Sequence, residues 1–236
     1  RFSEPVTHVY NPLRYARGNA EAMIKRFATG PRRVVMMGMN PGPWGMAQTG
    51  VPFGEVEHVR DWMDLTEPVN KAAIDNDGAV PGEHPKRLIQ GLDCPRSEVS
   101  GRRLWSLFSE TFGTPKAFFA EHFIVNYCPL CFMAETGRNI TPDKLPAAER
   151  EPVEAACDQH LAAVLNALKP EVVVGISKFA ERRAQRVIDD HQDALHSLPG
   201  VCSLLHPSPA SPAANRGWAE QARNQLVEQG VWDAAS

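Results

Sequence analysis

Arg33-Val34-Val35-Met36-Met37-Gly38-Met39 runs without a break into Asn40-Pro41-Gly42-Pro43-Trp44-Gly45-Met46-Ala47-Gln48-Thr49-Gly50, and the fold follows from how that junction is read. After Arg33 the first stretch is apolar throughout, the mark of a short strand buried on both faces within a parallel sheet. Residues 122–128, 171–176 and 200–206 read the same way, giving four short apolar strands. Helical segments separate them. Residues 152–168 set Val153, Cys157, Leu161, Val164, Leu165 and Leu168 on one stripe. Residues 11–29 read as a helix ended by Gly30-Pro31, residues 101–112 as another, and Ser177 as the N-cap of a helix to about residue 190. Ser211-Pro212 places an N-cap before a first-turn proline and opens a helix to residue 228. Strands alternating with helices predict an α/β fold, three layers α/β/α around a central four-stranded, mostly parallel sheet. Residues 66–100 and 136–147 read as irregular. With no internal repeat and no composition break, residues 1–236 are expected to form a single domain.

With 43% hydrophobic and 22% charged residues, the balance is that of an ordinary globular protein. A net charge of −3 argues against a tight, non-specific nucleic-acid binder, yet leaves room for a local basic rim. The apolar runs are too short to cross a bilayer. Five cysteines, without an apolar leader over residues 1–10, point to free thiols in a reducing compartment. A soluble, intracellular monomer with no membrane partner is expected, in cytoplasm or nucleoid if bacterial and in the nucleus if eukaryotic.

In open parallel sheets, ligands bind beyond the carboxyl ends of the strands. That rule selects Asn40 with the loop after it, Asn126 and Tyr127, Gly175 and Ser177, and His206 with Pro207-Ser208-Pro209. Two asparagines and a histidine suit an uncharged, amide-bearing ligand such as a nucleobase edge. The loop mixes glycines with the stiffening Pro41, Pro43 and Pro52, and carries Trp44, Met46 and Phe53; an aromatic ring on such a loop is a platform for a flat ligand. Neither Gly-Lys-Ser/Thr nor Gly-x-Gly-x-x-Gly occurs there, so phosphate-cradling readings are weak. On the residues alone, a structural loop and a base pocket stand on equal terms. Taken singly, His206 and Phe53 read as structural or core residues, and Asn126 as a turn cap.

Together they match a known pattern. Gly38-Met39-Asn40-Pro41-Gly42-Pro43 through Gly50-Val51-Pro52-Phe53-Gly54-Glu55 closely resembles the first motif of the single-strand-selective monofunctional uracil-DNA glycosylases, within the uracil-DNA glycosylase superfamily. Asn126-Tyr127-Cys128-Pro129-Leu130 resembles the central motif of that family, and His206-Pro207-Ser208-Pro209 with Ala214-Asn215-Arg216-Gly217-Trp218 its second catalytic motif. The resemblance implies excision of uracil from single-stranded and duplex DNA, by flipping the base into a pocket, without strand cleavage and with no cofactor or metal. It implies that Asn40 holds the attacking water and that His206 hydrogen-bonds O2 of the departing base. Phe53 would stack on the ring and Asn126 would read its amide edge. Met39, Gly42 and Met46 would flank pyrimidine C5, leaving space for a 5-substituted uracil such as 5-hydroxymethyluracil. Ser208, Pro209, Ala210, Ser211 and Asn215 would belong to a wedge loop filling the gap in the DNA. An amide is no general base near neutral pH, so Asn40 is expected to orient water in a dissociative mechanism.

Some positions depart from the vertebrate pattern. Ala210 stands where arginine is typical and Ser211 replaces an asparagine, which predicts weaker activity on duplex. Trp44 stands where phenylalanine is common. Ser177 and Lys178, at a strand end opening a helix, are the preferred DNA phosphate contacts. Arg102-Arg103, Arg182-Arg183 and Arg186 read as solvated helix faces. Cys128 and Cys131, with Cys94 and Cys157, raise an iron–sulfur reading that their irregular spacing disfavours. The alternatives are a superfamily glycosylase preferring deaminated purines such as xanthine or hypoxanthine, a non-catalytic DNA-binding module of the same fold, and an N-glycosidase of free nucleosides.

Overall fold

The Val34–Gly38 strand is buried at every position, and it is paired in parallel on both sides, which explains its unbroken apolar character. The computed structural model describes residues 1–74, 78 and 82–234. In chain order the strands are β1 (His8–Tyr10), β2 (Val34–Gly38), β3 (His122–Asn126), β4 (Cys131–Met133), β5 (Asn139–Ile140), β6 (Val172–Ile176) and β7 (Gly200–Leu204). The helices are α1 (Pro12–Tyr15), α2 (Arg17–Phe27), α3 (Met46–Thr49), α4 (Val99–Phe112), α5 (Pro115–Glu121), α6 (Ala147–Leu168), α7 (Lys178–Asp190) and α8 (Trp218–Glu228).

The four strands expected from the sequence form one parallel sheet in the order β3-β2-β6-β7. Met36 lies opposite Ile124 on one side and Val174 on the other. These three residues pack with Trp105 and Phe108 of α4, Phe118 of α5 and Trp218 of α8. Met37 and Val173 pack instead with Leu161 and Leu165 of α6 and Ala184 and Val187 of α7. Helices therefore cover both faces, giving the three layers that the alternation predicts. From β2 the chain steps outward to β3, and from β6 outward to β7 on the opposite side. The order thus reverses between β2 and β6, and the crevice at their carboxyl ends is the natural place for a ligand.

Four is the strand count of the large sheet only. β1, β4 and β5 form a second, antiparallel sheet of very short strands, too short for periodicity to reveal. Helix limits also differ from expectation. Residues 11–29 divide at Ala16 into α1 and α2, and α6 begins at Ala147, taking Pro152 inside it. The short α5 has no counterpart in the sequence pattern. α8 starts only at Trp218, because Ser211 and Pro212 open turns: the Ser211 N–H donates to Ser208 O and the Asn215 N–H to Ser211 O. Within the stretches read as irregular lie the 3-10 turns Lys71–Ala73, Gly91–Asp93 and Pro142–Lys144, the start of α4, and β5; residues 75–77 and 79–81 fall outside the described residues. No helix among the described residues is long and apolar enough to cross a membrane.

Candidate active site

At the carboxyl ends of β2 and β6 opens a cavity of about 540 Å³. Parallel pairing continues past the strands to its rim: the Tyr127 N–H donates to Gly38 O and the Cys128 N–H to Met39 O, both at 2.9 Å. Met39 and Asn40 are thereby held beside Asn126. Met39, Asn40, Gly42, Phe53, Asn126, Ser177, His206, Ser208 and Pro209 all line the cavity, from five separate stretches of chain.

The aromatic floor is fixed by its backbone. Phe53 has φ 53, a left-handed conformation costing a side-chain-bearing residue about 1 kcal/mol or more. Its carbonyl accepts from Glu55 N–H at 2.8 Å and from the Trp105 indole N–H at 3.1 Å, which hold the conformation in place. The ring lies against Gly38, where an added Cβ would collide with both Phe53 and Asn126 Oδ1. A glycine is therefore required where strand β2 ends. The Phe53 and His206 rings sit with centroids 6.0 Å apart, tilted by 45°.

Asn126 presents an unsatisfied group to this floor. Its Nδ2 donates to the Met46 sulfur at 3.1 Å, while Oδ1 is buried with no partner. Met46 therefore sits one layer behind the cavity, not on its wall beside Gly42 as the sequence reading expects. Asn40 is oriented by two long donations from Nδ2, to Pro41 O and Leu130 O at 3.4 Å each, leaving Oδ1 as the atom free to accept. Asn139, delivered by β5, donates to the same Pro41 carbonyl at 3.3 Å and keeps its own Oδ1 buried and unpaired.

His206 is held as one tautomer. The Ser208 N–H donates to Nδ1 at 3.1 Å, so the ring proton belongs on Nε2. Burial pushes its pKa down to about 4, making it a neutral donor at physiological pH. The loop beyond it is an ordered turn. Asn215 donates to Pro209 O at 2.8 Å, and Arg103 donates to Pro207 O at 3.0 Å and to Asn215 Oδ1 at 2.9 Å. Arg103 and Asn215 thus brace the loop, Ser211 is half-buried within its turns, and Pro209 and Ala210 form its exposed tip.

The basic residues of α7 lie outside the cavity lining. Lys178 lies off the cavity, donating to Ser203 Oγ at 2.9 Å and pairing with Glu181 at 2.8 Å. Of the α7 arginines read as a solvated face, Arg182 and Arg186 are exposed, Arg186 pairing with Asp190, but Arg183 is instead buried against Glu154 and Tyr127. Cys128 packs with Cys157 in one core cluster and Cys131 in another, so the two thiols of the Cys-x-x-Cys stretch point apart. No cluster of three or more metal-ligating side chains occurs among the described residues.

Glu98 is the site residue that the sequence reading missed most clearly. It lines the cavity just before α4, its carboxylate accepting from Trp44 N–H at 3.3 Å and also from Gly45 N–H. A Cβ on Gly42 would collide with that carboxylate, so the loop wraps it closely. Burial raises its pKa to about 7, against the pull of the two backbone N–H groups, with Glu55 pushing the same way as burial. Ser97, Val99, Ser100, Asn139 and Thr141 complete the missed part of the lining. Nothing in their local pattern marks them, because they sit in stretches without periodicity.

One cavity thus gathers an aromatic ring, a neutral imidazole donor, an unpaired amide acceptor and a second amide with a free oxygen, groups suited to a flat, uncharged heterocycle. The family model for the uracil DNA glycosylase superfamily matches residues 25–228. Proteins described as single-strand selective monofunctional uracil DNA glycosylase, from Bos taurus and Mus musculus, are each 46% identical over 98% of this chain, which spans 80% and 78% of their lengths. The chain belongs to the uracil-DNA glycosylase superfamily and, within it, to the single-strand-selective monofunctional family. The solved structure of wild-type SMUG2 from Pedobacter heparinus has a TM-score of 0.66 at 15% identity, covering 98% of this chain and 89% of that one. That likeness is one of fold.

Proposed function

We propose that this protein hydrolyses the N-glycosidic bond of uracil in DNA and leaves an abasic site without cutting the strand. The observation carrying this reading is the buried, unpaired Oδ1 of Asn126 above the Phe53 ring. A buried acceptor left without a partner costs on the order of 1–3 kcal/mol until a donor arrives. Uracil brings one, its N3–H. Cytosine offers a lone pair at that position, so it would leave Oδ1 unpaired and face repulsion, a discrimination worth several kcal/mol.

In this mechanism the base enters flipped from the strand and stacks on Phe53. His206 donates from Nε2 to O2, where negative charge gathers as the bond breaks. Its neutral state matters, because the donor then needs no proton from solvent. Asn40 Oδ1 accepts from the water that captures the oxocarbenium-like sugar, and the proton this water loses is taken up by the departing uracil anion, since an amide cannot hold it. Met39 and Gly42 flank C5, and the absent side chain at Gly42 leaves space for 5-hydroxymethyluracil. The turn from Ser208 to Asn215, with Pro209 and Ala210 at its tip, enters the stack left by the flipped base, and Ser177 meets a strand phosphate. The enzyme acts as a monomer.

The test uses uracil-containing single-stranded and duplex oligonucleotides, followed by alkali. Alkali-labile sites in both, with an uncut strand before alkali, are expected. No release from either substrate would sink the proposal, and cutting before alkali would remove its monofunctional part.

A further inference from the structure

Trp44 stands on the cavity wall, and two guanidinium groups lie against its ring: Arg87 at 4.9 Å and Arg96 at 5.3 Å from the ring centroid. Both arginines come from the stretch that periodicity left unassigned. Gln48 fastens that stretch to the pocket loop, donating to Pro43 O and Leu88 O at 3.0 Å and accepting from Gln90 N–H at 2.8 Å. Gln48 is fully buried, so the arrangement is built into the fold and not left to surface chance. Arg96 is exposed; Arg87 is half-buried, donates from Nη1 to Lys86 O, and has a buried Nε without a partner. Among the described residues, neither guanidinium has a carboxylate within ion-pair distance.

We infer that Trp44, Arg87 and Arg96 form a backbone subsite that takes a phosphodiester of the substrate strand beside the flipped nucleotide. A guanidinium stacked on an indole keeps its N–H groups directed outward in its own plane: the exposed Arg96 can present a fork that matches two phosphate oxygens, while Arg87, with Nε buried and Nη1 bonded to Lys86 O, adds charge beside it. Two such groups beside a cavity mouth concentrate positive charge where the whole chain is acidic. The indole and its flanking arginines also resemble the mixed aromatic and cationic tracks that hold flexible single strands. Glu98, the acid on the inner side of the same loop, is partly neutralised by its own burial and opposes a phosphate less than an ordinary carboxylate would. The subsite rests on the glycosylase reading only for the identity of the strand it holds.

Equilibrium binding of a fluorescent single-stranded oligonucleotide, followed from 50 to 300 mM salt, reads the subsite without relying on turnover. Removing one cation that meets a phosphate flattens the slope of log affinity against log salt by about 0.7, which means roughly eightfold weaker binding at 50 mM and threefold at 200 mM. Arg96→Ser and Arg87→Ser are each expected to show that flattening, and the double variant about twice as much. Lys116→Ser, removing one exposed charge from α5, is expected to keep the parent slope. Arg87→Lys keeps the charge and is expected to retain most of the slope, which separates the role of the charge from that of packing on Trp44. Unchanged slopes in both serine variants would overturn the subsite, as would equal flattening in Lys116→Ser. Absence of uracil release by the parent protein would overturn the glycosylase reading and leave this binding result standing.

Discussion

Replacing Glu98 by glutamine is expected to make the protein more stable, and more so as pH rises. Glutamine keeps an oxygen to accept from the Trp44 and Gly45 N–H groups, and it removes only the charge. Glu98 holds its proton to about pH 7, against an ordinary value of 4.5. Between those values the folded state carries a proton that the unfolded chain has released, so stability falls as pH climbs through the window, and above it the whole penalty is present. At ~1.4 kcal/mol per tenfold change in proton affinity the ceiling is ~3.4 kcal/mol. Glu98 is only half-buried, and solvent screening brings the expected gain for Glu98→Gln to about 1.5 kcal/mol at pH 8.5. Near pH 5 the gain should be only about a quarter of that. Urea unfolding of parent and variant at both pH values measures the difference directly. A variant gaining equally at pH 5 and 8.5, or losing stability more at the higher pH, would refute the account of a carboxylate kept in the pocket wall against its solvation energy.

The groups proposed as catalytic give further expectations. His206→Ala should lower single-turnover release of uracil by about 10²–10³, the usual cost of one donor to a developing oxyanion. In the Glu98→Gln background, where the Glu98 titration is gone, the acid limb of that rate should fall near pH 4; a limb near 6.5 would show that burial does not keep His206 neutral. Asn40→Ala should slow the same step at least about a hundredfold while leaving affinity for undamaged single strands intact, and an unchanged rate would move the water elsewhere. Ala210→Arg, at the exposed tip of the turn after His206, should raise activity on duplex relative to single strands, measured as a ratio of initial rates; a fall in that ratio would count against the wedge.

What could be read from the chain beforehand divides along physical lines. β2, β3, β6 and β7 were legible because central parallel strands are apolar on both faces, and the rule that ligands sit at their carboxyl ends followed from topology without further knowledge. Asn40, Phe53, Asn126 and His206, which line one cavity, could be singled out because they lie at or just beyond those ends, or in motifs of fixed order. β1, β4 and β5 were illegible for the opposite reason: two or three residues carry no period, and their pairing is specified by distant partners, such as Thr7 N–H donating to Met133 O. The same failure hid Asn139 and Glu98. Glu98 looks like an ordinary acidic residue ahead of a helix, and what makes it a pocket residue is the Trp44–Gly45 backbone folding over it from 54 positions away. Charge is legible only in part. A net charge of −3 leaves room for a local basic rim without placing it, and Arg87 and Arg96 meet on Trp44 through loop packing anchored by the buried Gln48, not through any run in the sequence. Chemistry placed by strands can thus be read from a single chain. Chemistry placed by loop-on-loop packing needs the fold, and in this protein the second kind surrounds the first.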